Sequence, residues 1–368
     1  MFSVVAHPQT VHLFQWAWLP QVWFGIPGPH HPISLILAGL IGACMGSFLN
    51  LVAHRFLTNQ SIVSPASHCP QCQYPLAWYD NIPLISFGFL NGSCRQCKAS
   101  IGWGCWLTEL ITALLYMAAL WAFGWSWQTV FVVFFISQLV VIFITDWQDS
   151  LIFELNSLPL IPAGLLYNLL GLGHNIWPQW AWHPANQPLL TIPLSHGDWV
   201  ISYAVMSSLL GIGMAWIFFE GIIALSQKFL GTDGFGHGDT HLMMGVGAFL
   251  GWEAMAVALF SGFFIQTVIA IPWMVWRWFL EKRWVALCSA VGSVSLALLP
   301  LAAPWIQHQW GVSLLLTTLI SSVGAMVCLW IFLRQLRNQT EYLYVPLGPS
   351  LIGGTLATLL ITLWQASP

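Results

Sequence analysis

Charge is what this sequence has least of. Of 368 residues, only 9 are Lys or Arg and 12 Asp or Glu, so 6 % are charged, against about 25 % in an ordinary soluble domain. Such a chain cannot cover a water-facing surface. That excludes a soluble globular protein and a disordered one, and it excludes a nucleic-acid binder, which needs basic patches. A basic region is missing from the N-terminus (MFSVVAHPQTVHLFQW), which therefore does not read as a secretory signal. Internal repeats and low-complexity tracts are not evident either. What the chain does have is apolar mass: 58 % hydrophobic residues, a mean hydropathy of +0.75, and 24 Trp, a side chain that favours bilayer interfaces. The reading is a polytopic membrane protein whose solvent is lipid.

A helix needs about 20 apolar residues to cross a bilayer. Candidate stretches are 34–52, 107–124, 128–146, 154–172, 199–219, 254–276, 285–304, 312–333 and 346–365, while 241–252 is apolar but short. Basic residues stay on the cytoplasmic side. With the N-terminus outside and 241–252 counted as a crossing, Arg55, Arg95, Lys98, Lys228, Arg277, Lys282, Arg283, Arg334 and Arg337 all fall inside. The expected fold is an all-α polytopic membrane protein with about 8–10 transmembrane helices and a small cytoplasmic loop domain. Its parts are an interfacial or extracytoplasmic lead-in (1–33), a first transmembrane helix (34–52), a polar insert (53–106), a transmembrane core (107–275), an additional hydrophobic hairpin (276–342) and a last transmembrane helix (343–368).

The polar insert carries Cys69-Pro-Gln-Cys72 and Cys94-Arg-Gln-Cys97. Each CxxC lets two thiolates bind one ion, and two such pairs complete a tetrahedral S4 site, for which Zn²⁺ is the default metal and iron the alternative. Four protein ligands leave no open coordination position, so the metal is structural. Two disulfides are the competing reading, disfavoured in a reducing cytoplasm. Cys44, Cys105, Cys288 and Cys328 sit in apolar segments and read as small buried side chains.

Ionisable residues beside or inside spans mark functional sites. Asp146 ends the third span, and Asp239 stands in Gly234-Phe-Gly236-His-Gly238-Asp239-Thr-His241 before the short segment. Two carboxyls on one face of a membrane can share a proton as an aspartic-protease dyad: one takes a proton from water, the other donates to the scissile carbonyl. Gly236 and Gly238, without Cβ atoms, permit close approach of a substrate strand. Alone, GxGD also fits a glycine loop with Asp as a helix N-cap. The topology puts Asp149, Glu154 and Asp233 at the inner face with the pair, an acidic rim that attracts a basic peptide. His237 and His241 read as polar caps near headgroups or as ligands.

A third constellation, Met45-Gly-Ser-Phe-Leu-Asn50-Leu-Val-Ala-His-Arg55, coexists with these, as do Asn81-Ile-Pro83 and Glu109-Leu-Ile-Thr-Ala. In this order, over about 41–275 and again at 343–355, they resemble the type IV prepilin peptidases, bifunctional leader peptidases and N-methyltransferases of the GxGD intramembrane aspartic protease class. The resemblance implies Asp146 and Asp239 as catalytic and Cys69, Cys72, Cys94 and Cys97 as the ligands of a cytoplasmic zinc domain. It implies type IV prepilins or pseudopilins as substrates, S-adenosylmethionine as methyl donor, and a multi-pass place in the bacterial inner membrane with a cytoplasmic active site. Here Phe153 and Glu154 stand where the family usually has Pro and then Asp or Asn, His241 stands for the usual Lys, and Cys105 to Thr108 replace the usual Tyr-Pro stretch. Other readings are a peptidase without methyl transfer, and a non-enzymatic zinc-stabilised scaffold or transporter.

Overall fold

The computed structural model describes residues 28–64, 66–172, 188–192, 199–231, 236–280 and 346–366, with isolated positions between 281 and 345. Residues 1–263 with 346–368 form one compact unit, and 264–345 a second. The hydrophobic pair expected at 285–304 and 312–333, and Asp233, lie outside the described residues.

Helix α1 (Pro32–Leu57) opens on Pro32, whose missing N–H costs nothing in a first turn. Short α2 (Ile85–Phe89) belongs to the polar insert. Helices α3 (Trp103–Phe123) and α4 (Trp127–Asp149) follow, parted by Gly124 at φ +64° and capped anew by Ser126. α1 and α3 pack through a run of glycines: a Cβ on Gly42 would strike Ala113 and Tyr116, and one on Gly46 would strike the Glu109 backbone. Between apolar helices in lipid there is no hydrophobic drive to associate, so close backbone approach at small residues supplies the contact energy.

The segment expected to span at 154–172 holds two short helices, α5 (Glu154–Ser157) and α6 (Leu160–Leu169), joined through Leu158 and Pro159, which both keep right-handed helical backbone angles. Proline removes a helical donor. Beyond α6 lie two antiparallel strands, β1 (Pro188–Ile192) and β2 (Trp199–Ser202); two isolated antiparallel bridges, His68 with Pro75 and Ser93 with Ser100, lie in the polar insert. β2 leads into α7 (Tyr203–Leu230).

α8 (His237–Leu280) is two helices joined across Gly251, which sits at φ 75°, ψ 172°. The contacts along α7 show that the chain reverses there. Going up the first leg, His237 meets Glu220, Gly247 meets Gly211, and Trp252 meets Ser207. Past the break, Glu253 meets Tyr203 and Phe263 meets Phe218. The first leg runs against α7 and the second runs back alongside it. From His237 to Leu250 the first leg rises about 20 Å at roughly 1.5 Å per residue, less than a bilayer core of about 30 Å. The break leaves backbone groups without helical partners. The Asn168 amide nitrogen lies 2.9 Å from the Ala248 carbonyl and 3.2 Å from that of Phe249, and the Trp252 N–H donates to Ser207 Oγ at 3.2 Å. Where water is absent, such partners are obligatory.

α9 (Gly348–Ala366) closes the unit. It crosses the second leg at glycines: Gly354 abuts Ala258 and Gly262, and a Cβ on Gly262 would come within 2.9 Å of Leu351 Cα. Among the described residues five helices have the length and hydropathy to cross a membrane, and α9 is a shorter apolar one.

Replacing Asn168 with Leu strips the broken ends of Ala248 and Phe249 of their donor. The expected loss is about 1–3 kcal/mol, the cost of orphaned buried carbonyls, seen as an earlier transition in denaturant titration of the detergent-solubilised protein. An unchanged transition would mean that water or lipid satisfies the break.

Candidate active site and metal centre

The register of α4 against the first leg of α8 builds the site. The Phe135 and Phe249 rings meet at 4.6 Å between centroids. From Phe135, α4 rises roughly 16 Å to Asp146; from Phe249, the first leg descends roughly 15 Å to Asp239. Because the two run in opposite directions, equal rises bring both carboxyls to one end. They are near enough for the charge of Asp146 to act on Asp239. Both are buried, at 3 % and 6 % exposure, and Asp146 Oδ2 has no hydrogen-bond partner among the described groups.

Three chain segments converge there because three residues lack or restrain side chains. α4 stops at Ser150, whose left-handed conformation (φ 54°, ψ 40°) turns the chain while its N–H caps the Asp146 carbonyl. The turn delivers Ile152 onto Gly238, where an added Cβ would lie 2.6 Å from Ile152 Cβ. Gly348, the first residue of α9, sits directly on the Asp146 carboxyl. Gly238 is thus filled by the protein's own Ile152, whereas Gly236 is exposed and its added Cβ would meet no heavy atom closer than 3.9 Å. Asp239 is the third residue of its helix, past the N-cap position.

Around this pair Asp149 and Glu154 are exposed. His241 is half-buried with its Nδ1 unpartnered among the described groups, and His237 is exposed and paired with Glu220. Glu220 was not singled out from the sequence. An acid within an apolar helix is the signal that finds it.

The four cysteines converge separately. Their Sγ atoms all lie within 4.8 Å of one another, with Cys69–Cys97 at 3.8 Å and Cys72–Cys94 at 3.9 Å. A tetrahedron of sulfurs at about 2.3 Å from a zinc ion has edges of about 3.8 Å, so the cluster has the size to hold a metal, and these separations are too long for disulfides. Each CxxC forms the same small hairpin. Cys69 N–H donates to the Tyr74 carbonyl and Cys94 N–H to that of Ala99; Gln73 and Lys98 N–H donate back to the Cys69 and Cys94 carbonyls. Gln73 and Lys98 both take positive φ, 58° and 57°. This backbone repeat is invisible in the sequence beyond the two CxxC. Backbone N–H groups of Cys72 and Gln71 pull the Cys69 thiol down to about 6, favouring the thiolate a metal needs.

Two anchors hold this loop. Arg95, between the second pair of cysteines, makes a forked contact to the buried Asp80 carboxylate (Nε to Oδ1 2.9 Å, Nη2 to Oδ1 2.6 Å), which raises the pKa of the guanidinium further. Buried Glu109 of α3 accepts the Leu84 N–H at 2.7 Å, tying the loop to the helices.

Residues 40–123 match the bacterial peptidase A24 N-terminal domain, and residues 133–271 match the type IV leader peptidase family. Relatives called prepilin leader peptidase/N-methyltransferase include a protein of Myxococcus xanthus, 32 % identical over 237 residues, which are 64 % of this chain and 62 % of that one. One of Klebsiella pneumoniae is 32 % identical over 226 residues, 60 % of this chain and 86 % of the relative. One of Neisseria gonorrhoeae is 28 % identical over 264 residues, 65 % of this chain and 82 % of the relative. No solved structure matches the chain significantly. The chain belongs to the type IV leader peptidase family, with that family's bacterial N-terminal domain ahead of the peptidase domain.

Proposed function

We propose that this protein, lying in the bacterial inner membrane, cleaves the basic leader from type IV prepilins and related pseudopilins at the cytoplasmic face. It then methylates the new N-terminal residue from S-adenosylmethionine. The substrate and both activities follow the names its relatives carry. The observation that carries the chemistry is the register that gathers Asp146 and Asp239 at one end, buried and within each other's field.

The chain's own groups then divide the work. The ionised carboxyl of the pair takes a proton from a water molecule, and the protonated one donates to the scissile carbonyl, so that the hydroxyl adds as the carbonyl oxygen gains its proton. Exposed Gly236 leaves room for the extended substrate backbone beside Asp239. Asp149 and Glu154 draw the basic leader toward the pair.

Cys69, Cys72, Cys94 and Cys97 would hold a structural zinc ion, which would fix the loop and, with four protein ligands, leave no open position for hydrolysis. The methyl donor is an adenosyl sulfonium, which favours aromatic faces with a few polar groups. A pocket of about 470 Å³ walled by Phe87, Trp103 and Trp106, with Asn91 and Ser100 at its edge, offers both beside the zinc loop.

Asp146→Asn or Asp239→Asn should lower cleavage of a synthetic prepilin by at least about a thousandfold, with membrane insertion and metal content intact. Retained cleavage in either variant removes the dyad. Cys72→Ser should bring zinc well below one per chain by elemental analysis. A stoichiometric ion in that variant would rule out the S4 assignment. Asp149→Lys should raise KM about two- to fivefold at low salt, the size of an exposed charge pair, with the difference fading as salt screens it. An unchanged KM removes the rim alone.

A further inference from the structure

We propose that Glu220 is a positioning residue for the aspartate pair, holding the turn that carries Asp239. This rests on the peptidase reading above. Glu220 lies within α7 in Ala215-Trp-Ile-Phe-Phe-Glu220-Gly-Ile-Ile-Ala224, where no other residue is charged. A carboxylate at such depth is costly unless it has partners.

Its partners here are specific. Oε1 lies 3.0 Å from His237 Nδ1 and 3.4 Å from Thr240 Oγ1, both of which donate to it. His237 stands two residues before Asp239, and Thr240 directly after it. One oxygen therefore ties both shoulders of the turn. The side chains of the turn offer little else, since Gly236 and Gly238 have none. Glycines that make room for a substrate also free the backbone they sit in, and a carboxyl that must meet water and a carbonyl within a few tenths of an ångström cannot ride on a loose turn. The brace sits opposite Ile152, which bears on Gly238 from the α4 side. The turn is clamped from α7 by a polar contact and from the end of α4 by an apolar one.

The position explains a feature of the motif itself. The residue between the two glycines is His237, and its imidazole is spent on the brace; it reaches Glu220 rather than the aspartates.

The test uses the full-length protein in detergent with a synthetic prepilin. Glu220→Ala should lower kcat roughly 10- to 100-fold, the penalty of a misplaced group, with KM within about twofold. Glu220→Gln keeps an oxygen that accepts both hydrogen bonds and should retain most of kcat. Amide hydrogen exchange over 236–241 should quicken in the Ala variant and not in the Gln variant, and methyl transfer to a pre-cut pilin should stay at the wild-type rate in both. Wild-type kcat in Glu220→Ala would overturn the proposal. So would a joint fall of cleavage, methyl transfer and thermal stability, which marks a role in folding alone, and so would a Gln variant as impaired as Ala. If the wild-type protein cuts no prepilin, the peptidase reading fails, and the exchange rates still decide whether Glu220 braces the turn.

Discussion

The packing of Phe135 on Phe249 sets the register on which the site depends. Asp146 and Asp239 are far apart in sequence and on helices of opposite direction. A slip of one turn between α4 and the first leg of α8 would move one carboxyl about 5 Å along the axis and take it off its partner. The aromatic contact is reinforced by Tyr167, whose ring packs on both Phe131 and Phe249. A third helix, α6, thereby checks the alignment of the first two.

The membrane makes this register expensive to reach by other means. Apolar side chains gain nothing by leaving lipid for protein, so the helices are drawn together where backbones touch, at Gly42 and Gly46, at Gly211 on Gly247, and at Gly164 on Ala248. The same dryness forbids an unpaired turn inside the bilayer. The reversal at Gly251 exists because Asn168 and Ser207 stand ready with a donor and an acceptor. The first leg can consequently be short, and its N-terminal turn, with Asp239, lies alongside Glu220 rather than at the C-terminal end of α7.

The cysteine loop follows a different logic. It is polar, it closes on itself through two like hairpins, and it meets the helices through Glu109 and a cluster of Phe87, Trp103 and Trp106. Its anchors lie at the start of α3, while the aspartates lie at the end of α4 and the start of α8. The two activities we assign to the chain therefore rest on different parts of one bundle, in which α3 packs on α4 and the Tyr116 hydroxyl meets Ser137 Oγ at 2.7 Å.

Much of this was legible in the sequence. Scarce charge and long apolar runs gave the membrane class, because a bilayer leaves a helix no other option. The two CxxC gave the four-cysteine cluster, because ligand spacing is local chemistry. The acids at span ends gave Asp146 and Asp239 as candidates. The reversal at Gly251 was hidden because hydropathy does not register where a helix breaks. The tie from Glu220 to the turn was hidden because periodicity cannot say which faces meet. Composition and local spacing determined what kinds of group this protein carries and on which segments. Tertiary packing alone decided that a ring contact and a row of glycines would bring two distant carboxyls to the same level, since register between helices is fixed by side chains that are not neighbours along the chain.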